Sequence, residues 1–96
     1  MRLNNLLNNE IMKTPQSEFK VGMVVKYKRP ERGEEDLRFY VTEIHKPTNK
    51  LHVELVCDYP LKPTACEFSD EFEPSWFTKK VEYDGEIVKA ICFGRF

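Results

Sequence analysis

His45 and His52 flank one short turn, and Glu43, Glu54 and Cys57 stand close to them in the chain. An imidazole, carboxylate and thiolate set is the kind of donor group that holds zinc. Strand parity works against it, because alternation puts Cys57 on the apolar side of its strand and His52 on the other. The two histidines are expected to be solvated beside a turn, with no metal and no cofactor. Cys66 is the one thiol outside a strongly patterned strand. Nucleophilic work needs a thiolate with a base beside it. The acidic neighbours Glu67 and Asp70 favour the protonated thiol instead. Glu34, Glu35, Asp36 and the pair Asp70 and Glu71 sit in charged turns with no cleft implied, and four glycines form no phosphate-binding loop. No catalytic residue is assigned, and the chain is read as non-enzymatic.

Two surface features point to binding. The first is an aromatic segment of Phe72, Trp76 and Phe77, with Tyr59 and Pro74 near it. Tryptophan and tyrosine anchor interfaces because each joins a large apolar area to a polar tip. Phe72, Trp76 and Phe77 are therefore the candidate partner-binding residues; the competing reading plugs the core with Trp76. The second feature is a basic stripe of Lys26, Lys28, Arg29, Arg32 and Arg38, extended by Lys20, with Tyr27 and Tyr40 available for stacking on bases. The near-neutral charge of -1 and the pI of about 6.1 argue against a polyanion as the main partner. Pro60 and Pro63 match a Pro-x-x-Pro spacing but read as a turn between strands.

The elements that position these residues follow a period of two. Over residues 19–28, Phe19, Val21, Met23, Val25 and Tyr27 alternate with Lys20, Gly22, Val24, Lys26 and Lys28, the pattern of a strand with one face on a core. Residues 29–36 are a charged loop. A second strand over 37–45 turns Leu37, Phe39 and Val41 inward and Tyr40 and Ile44 outward. After a five-residue connection, a third over 51–58 sets Leu51, Val53, Leu55 and Cys57 against His52, Glu54, Val56 and Asp58. Val25, Phe39, Val53 and Leu55 are expected to share one interior. Pro60 and Pro63 interrupt the ladder. Residues 65–68 read as a short edge strand, Ser69 as the N-cap of one helical turn, and residues 79–83 and 86–93 as a hairpin about Asp84-Gly85.

Residues 1–18 differ: Asn-rich, with Leu3, Leu6, Leu7 and Ile11 at near-helical spacing. They are read as a tail or a loosely docked helix, with Thr14, Pro15, Gln16 and Ser17 as linker and Met12 as an alternative start. Residues 19–96 form the single domain. The expected fold is all-β, a small barrel of five or six strands, partly open, with one short helical turn and an N-terminal helix as an option.

The alternation over residues 19–25, the charged loop, and the strands over 38–44 and 51–55 together resemble the opening of SH3-like barrels. That superfamily includes KOW and Tudor-like modules. The resemblance covers residues 19–58 and implies a small barrel used for binding. The glycine favoured in the second strand of KOW motifs is missing, as is the aromatic motif of signalling SH3 domains, so no residue role carries over.

Composition sets the remaining bounds. Ninety-six residues with 41% apolar side chains make one core rather than a disordered chain. No apolar run spans a bilayer and no signal segment stands at the N-terminus, so the cytoplasm is the expected compartment. Three widely spaced cysteines fit no disulfide framework. Charge is segregated along the chain. Residues 13–32 carry six basic groups against two acids, and residues 54–73 carry six acids against one lysine. Such patches either steer a partner or pair with each other. The functional expectation is a protein-interaction or regulatory module; the alternative is a nucleic-acid-binding barrel.

Overall fold

The computed structural model describes residues 16–95. Seven strands form two sheets: β1 (Val24–Tyr27), β2 (Phe39–His45), β3 (Lys50–Leu55), β4 (Thr64–Phe68), β5 (Phe72–Pro74), β6 (Phe77–Tyr83) and β7 (Glu86–Cys92). The first five make an antiparallel sheet in the order β4-β3-β2-β1-β5; among the described residues, β6 and β7 pair only with each other. The body is therefore all-β and not a closed barrel, since β4 and β5 remain as edges. β5 is three residues long and ends on a proline, which blunts its edge. The tail-or-helix reading of the N-terminus falls mostly outside the described residues. Its last part, Gln16–Glu18, is a 3-10 turn, not a free linker. Gln16 Nε2 donates to Ser69 Oγ at 3.2 Å and to the His45 carbonyl at 3.4 Å.

The core lies on one face of the large sheet. Phe19, Val25, Phe39, Val41, Leu51, Val53 and Phe72 are all buried there, with Leu55, Ile44 and Tyr27 packed at its rim. Tyr27, Phe39 and Phe72 meet as a ring triad. Tyr27 stacks on Phe72 at 5.1 Å between centroids, and Phe39 meets both edge-on. The alternation expected for β3 holds, and Leu51 and Val53 are fully enclosed.

Two departures have local causes. The first strand is much shorter than residues 19–28, because the chain turns over 20–23, with Gly22 at a φ of +94° and Met23 N–H donating to the Lys20 carbonyl. The turn leaves Val21 exposed and sets Phe19 into the core. In β2, the register slips between Val41 and Glu43, a β-bulge in which Thr42 is the extra residue and its hydroxyl donates to the His52 carbonyl. The extra residue reverses parity, so Ile44 packs on the core instead of facing outward. Ser69 also differs from expectation. The N-cap position of its turn is Phe68, and the Ser69 hydroxyl is buried on Gln16 instead of capping.

Val24, next to Val25, is buried as well, on the opposite face of β1. The C-terminal segment runs along β1 at this point. Val24 N–H donates to the Phe93 carbonyl, Arg95 N–H donates to the Gly22 carbonyl, and Met23 bridges Gly94. Along residues 22–24 this segment thus takes the place that β5 occupies along residues 25–27.

Candidate interaction surface

Three regions gather the chemistry-bearing residues. The first is a hollow of about 470 Å³ lined by Tyr27, Lys28, Arg29 and the acids Glu31, Glu34, Glu67, Asp70 and Glu71. Here the basic and acidic stretches of the sequence meet. The segregated charges are thus partly spent on each other, and Lys26 likewise faces Glu73 across the β1–β5 pair at 3.5 Å. Burial pushes the Tyr27 phenol well above the usual tyrosine range, and the Glu67 carboxylate at hydrogen-bonding reach adds to the shift. Glu67 Oε2 is itself buried without a hydrogen-bond partner among the described residues.

The second region covers the outer face of the sheet. The Arg95 guanidinium lies 4.1 Å from the Tyr40 ring centroid and hydrogen-bonds the Glu54 carboxylate, which stands across from Tyr40 in the β2–β3 register. Phe77 meets Tyr40 edge-on at 6.0 Å. On the same sheet, His52 Nε2 and Cys66 Sγ face each other across β3 and β4 at 3.5 Å. His45 is drawn away to Thr48, 2.7 Å from its Nδ1. The two histidines therefore serve different neighbours. No group of three or more metal-ligating side chains occurs among the described residues.

The third region is the β6–β7 hairpin. Asp84 and Gly85, with φ values of +53° and +82°, form the tight turn that the Asp-Gly pair predicts. From Thr78 to Ile91 only Val81 and Ala90 are even half-buried; the rest are exposed on both faces of the ribbon. Tyr83 is 74% exposed, Ile87 69% and Ile91 58%. The ribbon is an arm, held at its root by Phe77 on Tyr40 and by Arg38, whose Nε donates to the Trp76 carbonyl. Trp76 and Phe93 flank that root, half-exposed or more.

The predicted partner-binding residues separate accordingly. Trp76 lies at the surface, not in the core, and Phe77 is partly covered at the root. Phe72 belongs to the core and offers no surface, because β5 points it inward against Tyr27 and Phe39. The predicted basic stripe is also divided. Lys26 pairs with Glu73, Lys28 and Arg29 line the acidic hollow, and Arg32 is exposed in its turn. Arg38 is committed to the carbonyls of Trp76, Glu35 and Leu37. No protein-family model, curated protein or solved structure matches this chain.

Tyr83, Ile87, Val88 and Ile91 were absent from the sequence-based candidates. Their signal was present. Ile87 and Val88 are adjacent apolar residues and Lys79 and Lys80 adjacent charges, so neither strand has a consistent inward face. A ribbon without such contrast has nothing to bury it against its own body.

Proposed function

We propose that this chain is a non-enzymatic protein-interaction module, an SH3-like open barrel that presents the β6–β7 arm and its root to a protein partner in the cytosol. The carrying observation is the arm. A two-stranded ribbon alone is marginally stable in water, and this one leaves Tyr83, Ile87 and Ile91 uncovered. A protein surface laid on it would bury those side chains and Trp76 together. The antiparallel order, with β5 returning beside β1 through the Ser69–Glu71 turn, supports the barrel assignment. Three free cysteines support a reducing compartment. Among the described residues, no helix is long and apolar enough to cross a membrane. The division of the basic residues among acids and carbonyls weighs against a nucleic-acid partner.

The test is a photo-reactive amino acid placed at Ile87 or at Trp76 in the full chain, activated in a lysate of the source cell at low and at raised salt. Crosslinks to protein that persist when salt is raised support the proposal. Crosslinks to nucleic acid, lost steeply with salt, or no crosslinks at all, would retire it.

A further inference from the structure

We infer that the outer edge of β6 pairs with the same edge of a second copy of this chain, joining two arms into one four-stranded sheet. The inference rests on the reading of the arm as an interaction element and names its partner. The hydrogen-bond alternation of the hairpin decides which backbone groups face outward. Tyr83 and Glu86 close a two-residue turn, which makes them a hydrogen-bonded pair. The bonded and non-bonded pairs then alternate down the arm. Val81 and Lys79 spend their backbone groups on Val88 and Ala90, whereas Thr78, Lys80 and Glu82 turn their N–H and C=O groups away from β7. The described structure pairs no strand with that edge.

Charge selects the register. An antiparallel pair of identical strands is related by a two-fold axis, and faces match only when the axis passes through a residue. With the axis at Lys79, at Lys80 or at Glu82, that residue meets its own copy and sets like charges opposite each other. Centred on Val81, each Lys80 stands across from the Glu82 of the second copy, twice by symmetry, and Lys79 stands across from Tyr83. Lys80 and Glu82 are exposed outward-bonding residues on one face, so the same two positions supply both the ladder bonds and the ion pairs. Lysine on a free edge normally discourages pairing. Among the registers centred on residues 79–82 it leaves one, and an axis at Thr78 or Phe77 would pair three residues of β6 or fewer. The edge of β7 has no equivalent, because in no register do its outward residues Ile87, Lys89 and Ile91 set opposite charges together. Pairing through β6 also sets the two Val81 side chains opposite each other on the other face, with each Tyr83 diagonal to the Val81 of the second copy.

The experiment measures the mass of the full chain by sedimentation equilibrium over a wide concentration range. The wild-type mass should rise toward twice that of one chain. Lys80→Glu alone and Glu82→Lys alone each set like charges across the two-fold axis and should weaken the association by about tenfold or more. The double variant K80E/E82K restores opposite charges and should restore the dimer. Lys80→Pro removes an outward N–H that the hairpin does not use, and should abolish pairing while the circular dichroism stays that of the wild type. A wild-type chain that is monomeric at every concentration overturns the inference, as does a dimer indifferent to these variants or a double variant that fails to recover. A monomer whose arm still crosslinks to another protein retires the self-pairing alone. An arm that crosslinks to nothing retires the interaction reading beneath it.

Discussion

Tyr27 shows how much one side chain can report about this fold. Its ring closes the aromatic triad while its phenol sits at the mouth of the acidic hollow, where ionisation would place a phenolate among Glu34, Glu67 and Glu71. Burial, the Glu67 hydrogen bond and those charges all favour the neutral form, so the folded pKa lies above the unfolded value of about 10. A raised acid pKa means that the unfolded chain releases its proton first. The stabilisation is fully present below the unfolded pKa and is lost as pH rises beyond it. In an alkaline titration followed by phenolate absorbance, one of the four tyrosines should resist ionisation until the protein unfolds. Tyr27→Phe should remove that late step. A second residue-scale contrast separates the two leucines of β3. Leu51 is fully enclosed, and Leu51→Ala should cost about 2–5 kcal/mol in a denaturant titration. Leu55 lies at the rim, and Leu55→Ala should fall below Leu51→Ala in the same measurement.

At the scale of elements, the molecule divides into a sheet that carries a core and an arm that carries none. Gly85, at a φ of +82° with open space around it, serves only the arm turn. Gly85→Val should therefore loosen the hairpin, seen as weakened cross-strand contacts between Val81 and Val88 by NMR, and leave the thermal midpoint of the body nearly unchanged. Gly22 is the opposite case. Its φ of +94° is costly for any other residue, and a Cβ there would meet the Arg95 carbonyl at 3.0 Å. Gly22→Ala should destabilise the whole fold by roughly 1–2 kcal/mol from the backbone alone, and release the C-terminal segment from β1. A matched pair of glycine variants thus distinguishes an element built into the body from one that only projects from it.

For the whole molecule, the question is where the segregated charge goes. The stretches that sum to opposite sign in sequence are folded against each other around the acidic hollow and along the β1–β5 pair. Steering of a distant charged partner is correspondingly weakened. Lys26 and Glu73 are each about two-fifths exposed, so water and salt screen their attraction. Lys26→Gln should cost less than about 1 kcal/mol, and added salt should shift the thermal midpoint only slightly.

The strands β2, β3 and β4, the inward set of Val25, Phe39, Val41, Leu51 and Val53, and the Asp84-Gly85 turn were legible in the residues themselves. Each is a local property, set by alternation at a period of two or by a turn that demands positive φ. Local pattern also placed Trp76 as a candidate anchor without saying whether it lay inside or out. Ile44 was misread because a bulge reverses parity, and a bulge is decided by how two strands fit together. Phe72 was misread because its short strand shows too little alternation to reveal a face; only its return beside β1 turns the ring into the core. The basic stripe looked continuous along the chain, yet the fold sends Lys26 to Glu73, Lys28 and Arg29 to the acidic hollow and Arg38 to backbone carbonyls. The arm is the clearest case of a property decided in three dimensions. Its two strands and its turn were readable, but their detachment from the sheet depends on what the body leaves uncovered. Pairing between distant segments settles that, and no window of adjacent residues contains it.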